Sequence, residues 1–107
     1  MSLANVAKNF TLTDTVPHQI TALLKAAYPN NADFMLYCKC NIIAASTNGA
    51  NVLMFGAADV AANNGVAINA GQSFTMGDGF ANDIPLINCW VAATAQPLTF
   101  TFQAYEA

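Results

Sequence analysis

The clearest pattern in the chain is the alternation from Leu98 to Tyr105, LTFTFQAY, which puts Leu98, Phe100, Phe102 and Ala104 on one face and Thr99, Thr101, Gln103 and Tyr105 on the other. A period of two predicts a half-buried strand. The same period runs through Phe34–Ala45. There Phe34, Leu36, Cys38, Cys40 and Ile42 share one face, and Met35, Tyr37, Lys39, Asn41 and Ile43 the other. Lys39 and Asn41 mark the wetter side. Between these two strands, Asn48–Met76 breaks into short apolar runs: Val52–Phe55, Val66–Ile68 and Phe74–Met76. Turn signals separate them at Asn48-Gly49, Gly56, Asn63-Asn64-Gly65 and Ala70–Ser73. Asn and Gly tolerate positive φ, so these are points where strands fold back. Ala57–Asn64 is read as a small-residue connection, Gly77–Asp83 as a loop, and Leu86–Thr94 as a buried strand carrying Cys89 and Trp90.

Only His18–Tyr28 carries helical spacing, with Ile20, Leu23, Leu24 and Ala27 on one side. Pro29 closes it. One short helix is predicted there, with a strand as the alternative. Upstream, Phe10 and Leu12 alternate with polar neighbours and admit a short strand within an otherwise loose N-terminal stretch. The expected organisation is an N-terminal arm and first strand over residues 1–16, followed by one domain over 17–107. Six to eight strands with tight turns predict an antiparallel β-sandwich or jelly roll with at most one short helix.

Composition changes the picture mainly through charge. Charged residues make up 8% of the 107 positions, against roughly 25% in ordinary domains. Arginine is absent, the only cations are Lys8, Lys25 and Lys39, and the net charge is −3. Nucleic-acid binding needs a basic footprint and a membrane-surface helix needs a basic face, so neither partner is expected. No apolar run approaches the ~20 residues of a membrane span, and Met1–Phe10 has neither the basic nor the apolar part of a signal peptide. Twelve asparagines supply polarity in place of charge, and 21 alanines inflate the 55% hydrophobic fraction. Either the surface is Ala- and Asn-rich loop, or partner protein covers much of it.

The three cysteines, Cys38, Cys40 and Cys89, are odd in number. Two on one face of a single strand are badly placed to bond each other. They are expected to be reduced, buried thiols of a protein made in the cytosol. A metal site is not expected, because His18 lies far away and C-x-C alone is weak. No cofactor and no catalytic group are predicted. His18 lacks a Cys, Ser or acid that sequence can pair with it and reads as solvated or capping. Asp78 and Asp83 flank a glycine-bearing loop without EF-hand spacing. Gly77-Asp78-Gly79 lacks the lysine and helix of a phosphate loop. Ser73 lacks a G-x-S-x-G frame. Trp90, between Cys89 and Val91, reads as core rather than as a sugar-stacking ring.

The order of elements carries a resemblance. A small turn at Asn48 leads to the apolar run Val52–Gly56, then Asn64-Gly65, then Ile68-Asn69-Ala70-Gly71-Gln72-Ser73-Phe74. The chain closes on Leu86–Ala93, a turn at Gln96, and the alternating Leu98–Ala104. Over roughly residues 33–104 this resembles small structural proteins of tailed-bacteriophage virions, of the head decoration (cement) or head-fibre base type. Lys39, Cys40 and the run Ala57–Asn63 depart from the pattern. The resemblance implies a jelly-roll-like sandwich without catalytic residues, located in the virion after assembly in the host cytoplasm. It also implies contact with the major capsid protein or other virion proteins, and a homo-oligomer, with trimer the frequent state. The alternative is a tail- or head-fibre module that binds a receptor or sugar, for which Phe80 is the one loop aromatic. Within such an assembly Leu98–Tyr105, which ends near the C-terminus, is read as an edge strand that a partner covers, and deleting the Met1–Phe10 arm is expected to loosen attachment to the partner without unfolding the sandwich.

Overall fold

The computed structural model describes residues 5–30, 37, 39–77, 84 and 86–105. Eight strands run through them: β1 (Asn5–Leu12), β2 (His18–Gln19), β3 (Lys39–Ala44), β4 (Leu53–Gly56), β5 (Val66–Ile68), β6 (Ser73–Gly77), β7 (Trp90–Ala93) and β8 (Leu98–Tyr105). Helix α1 (Ile20–Ala27) follows β2 directly, and 3-10 turns occupy Ser46–Asn48 and Leu86–Asn88. The strands form two four-stranded sheets, in the orders β1-β8-β3-β6 and β2-β7-β4-β5, with every pair antiparallel. The chain therefore passes back and forth between the sheets, and its first and last strands pair along their whole length, from Asn5↔Tyr105 to Leu12↔Leu98. This strand order is that of an eight-stranded jelly roll.

Alternation explains which side each strand buries. Leu98, Phe100, Phe102 and Ala104 of β8 are fully buried. Cys40, Ile42 and Ala44 of β3 and Val6 and Leu12 of β1 lie on the same side. Leu53, Ile68, Val91 and Ala93 of the other sheet join them in one core cluster. Phe10 stacks at a tilt on Phe100, with ring centroids 5.5 Å apart, and Phe55 and Phe74 tie β4 to β6 at 5.0 Å. Lys8 breaks the apolar series of β1. It sits on the core side in register with Phe102, yet is exposed, and its Nζ lies 5.8 Å from the centre of the Tyr28 ring. A charge turned inward on an edge strand also discourages further strand pairing.

The predicted helix is present over Ile20–Ala27, with Ile20 and Leu24 buried and Lys25 in its last turn, where a cation suits the helix dipole. His18 and Gln19, expected inside it, instead pair with Val91 and Trp90. The Ile20 amide then donates to the Cys89 carbonyl at 2.9 Å, so the ladder runs straight into the helix.

Three expectations are corrected. Leu98–Tyr105 is not an edge: β8 lies between β1 and β3, and among the described residues the edges of that sheet are β1 and β6. The first strand expected around Phe10 and Leu12 is present as β1, but it begins at Asn5, so the stretch expected to be a loose arm is strand from Asn5 onward, with Val6 and Leu12 in the core. The buried strand expected over Leu86–Thr94 is a 3-10 turn followed by the four residues of β7. The Phe34–Ala45 strand is seen as β3, with residues 34–36 and Cys38 outside the described residues; Asp78, Phe80 and Asp83 lie outside them as well.

Candidate functional site

The inward alternation of β1, β8, β3 and β6 leaves their other residues on a common outer face. It carries Asn9, Thr11, Thr99, Thr101, Gln103, Asn41, Ser73 and Thr75, with Ile43 among them and Lys39 and Tyr105 at one end. Cross-strand hydrogen bonds fix these side chains. The Thr101 hydroxyl donates to Asn9 Oδ1 at 2.6 Å, the Thr75 hydroxyl donates to Asn41 Oδ1 at 2.8 Å, and the Thr11 and Thr99 hydroxyls lie 3.1 Å apart. None of these residues is acidic, and Lys39 is the one cation. Such a face offers neutral donors and acceptors on short, held side chains, and it has no group suited to proton transfer at neutral pH.

The outer face of the second sheet is partly covered instead. Met54 and Ala92 are ladder partners there, and Val60, from the small-residue connection, is 2% exposed on top of them. Two glycines let that loop come close. A Cβ on Gly65 would stand 2.7 Å from the Phe55 carbonyl oxygen and 2.9 Å from Val60 Cγ2; one on Gly56 would touch Val60 at 3.4 Å. Trp90 lies at the margin of this small cluster, partly buried. It belongs to the outer face and not to the core between the sheets, because it shares a face of β7 with Ala92 and packs against the Met54, Val60 and Ala92 cluster. Gln19 Nε2 donates to the Ile87 carbonyl at 2.7 Å, and Ile87 itself is 46% exposed.

Side chains pin the loops at one end of the sandwich. The Asn48 amide donates to the Thr99 carbonyl and its Oδ1 accepts from the Thr99 amide, both at 2.9 Å, imitating a strand pairing. Asn51 Nδ2 donates to the Pro97 carbonyl at 2.8 Å, and the Val52 amide donates to the Thr94 hydroxyl at 2.9 Å.

The structure gives His18 a partner that the sequence reading did not assign: Asp14 Oδ1 lies 2.7 Å from its Nε2 across the β1–β2 turn. The hydrogen bond from His18, with its positive charge when protonated, holds the Asp14 carboxyl below its ordinary value. Both side chains are partly exposed. Ser73 stands on the outer face of β6, in register with Ile43. Cys40 and Cys89 are buried and not disulfide-bonded, and burial pushes the Cys89 thiol up. Among the described residues no three His, Cys, Asp or Glu side chains come together to hold a metal ion, and no helix is long and apolar enough to cross a membrane.

The jelly-roll sandwich with one neutral, hydrogen-bonded outer face is thus the class that the geometry defines. Comparison of the chain with known protein families, with curated proteins and with solved structures found no match.

Proposed function

We propose that this chain is a non-enzymatic structural protein of a tailed-phage virion, which decorates or cements the head as a homo-oligomer and contacts the major capsid protein. The observation that carries the reading is the jelly-roll strand order combined with an almost charge-free outer face on the first sheet. Interface centres are depleted of charge, and a lattice of identical copies is served by a flat, rigid, neutral surface. The fold itself hosts unrelated functions, lectins among them, so the weight lies on the face and on the resemblance of residues 33–104. Trimer is the state that the resemblance brings. With three lysines in the chain, contacts are hydrogen-bonded and apolar, and attachment depends weakly on salt.

One observation favours the fibre-module reading. Trp90 is partly exposed beside Gln19, an aromatic and amide pair of the kind that stacks on and hydrogen-bonds a sugar. Electron cryomicroscopy of purified virions tests both readings. Density for this fold at three-fold or quasi-three-fold positions of the head is the expected result. Density confined to fibres would transfer the assignment to the second reading, and absence from the particle would remove both.

A further inference from the structure

The fold gathers sulfur from three distant parts of the chain. Cys40 on β3 is the ladder partner of Met76 on β6, both on the core side, and Cys40 is fully buried. Cys89, 6% exposed, precedes β7, and its Sγ–H donates to Met76 Sδ with the sulfurs 4.0 Å apart. We propose that Cys40, Met76 and Cys89 form a binding site for one soft monovalent cation of the copper(I) type.

Thiolate and thioether ligands suit copper(I), and a set of three falls short of the four ligands that structural zinc takes. Cys89 Sγ and Met76 Sδ already face each other across 4.0 Å, and an ion bridging them would sit in that gap. With metal–sulfur bonds of about 2.3 Å, sulfurs 4.0 Å apart subtend about 120°, the angle of trigonal coordination. Cys40, the neighbour of Met76 across the ladder on the core side, would supply the third corner, and its other ladder partner is the small Ala104. Met76 is partly buried on an edge strand, so the ion reaches the site by local opening of β6. Binding moves no electrons: each thiol that ligates exchanges its proton for a bond to the cation, and the proton leaves to solvent.

The test is an anaerobic titration of the Cys38→Ser protein with copper(I) against a chromophoric copper(I) chelator. Expected are one tightly bound equivalent and a near-ultraviolet thiolate-to-copper absorption. Cys40→Ala and Cys89→Ala each remove that equivalent. Met76→Leu, a volume-conserving change that keeps the β-type circular dichroism, weakens binding by about tenfold or more, the scale of disturbing a shell around a metal. Failure of the Cys38→Ser protein to compete with the chelator would overturn the site. So would retention of the bound equivalent in either alanine variant, or unchanged affinity in Met76→Leu.

Discussion

Asn48 shows how much one side chain settles. Its carboxamide satisfies both backbone groups of Thr99 and locks the turn after β3 to the start of β8. Asn48→Ala leaves the Thr99 amide without this acceptor and is expected to cost about 1–3 kcal/mol, measured by urea denaturation. Gly65 is constrained in another way, with φ of 137° and the Phe55 carbonyl where a Cβ would go. Gly65→Ala should destabilise the protein more than Gly56→Ala, whose added carbon meets Val60 only at contact distance. Asp14 gives a pH signature. Its folded-state pKa lies below the unfolded one, so its contribution is present above the unfolded value and lost as pH falls through the folded value. Carboxyl NMR should place the Asp14 midpoint below that of a free aspartate, and His18→Ala should move it back up. Neither Asn48–Thr99 nor Asp14–His18 was legible beforehand: the first pair is separated by 51 positions, and the second depends on how the β1–β2 turn closes.

Among the elements, β1 and the Ala57–Gly65 connection changed most between sequence and structure. The arm expected to be dispensable holds an edge strand. Deleting residues 1–10 would strip Val6 and Phe10 from the core and unpair β8 as far as Phe100. The expected result is loss of the cooperative thermal transition and of the β-type circular dichroism, and not merely weaker attachment to a partner. The strand expected around Phe10 and Leu12 extends back to Asn5, and that extent was not legible because Lys8 occupies a core-side position and leaves the core only by turning out toward Tyr28. The connection read as featureless because Val60 is alone among Ala, Asn and Asp. Its role came from the outward pair Met54 and Ala92, which needed a cover. Val60→Ala should cost about 1–3 kcal/mol and shift the fluorescence of Trp90, the single tryptophan, toward the red.

For the whole molecule, the scarcity of charge governs behaviour. A sandwich with a neutral outer face and six acidic against three basic residues has little electrostatic means of assembling. Sedimentation velocity should find a species larger than a monomer, unchanged between about 0.1 and about 1 M salt. A monomer at all concentrations would remove the homo-oligomer from the proposed function and leave the fold untouched.

The alternation of Leu98–Tyr105, the Gly and Asn punctuation of Asn48–Ser73 and the single helical stretch at Ile20–Ala27 determined, from sequence alone, an antiparallel sandwich with one helix. These signals are local: side-chain period and turn chemistry depend on neighbours a few positions apart. Tertiary structure alone decided that β8 is central and β1 an edge, that Trp90 faces outward, and that Cys40, Met76 and Cys89 meet. Strand order is set by which apolar faces bury each other across the two sheets, an energy summed over residues as far apart as Asn5 and Tyr105. No window along the chain contains that sum.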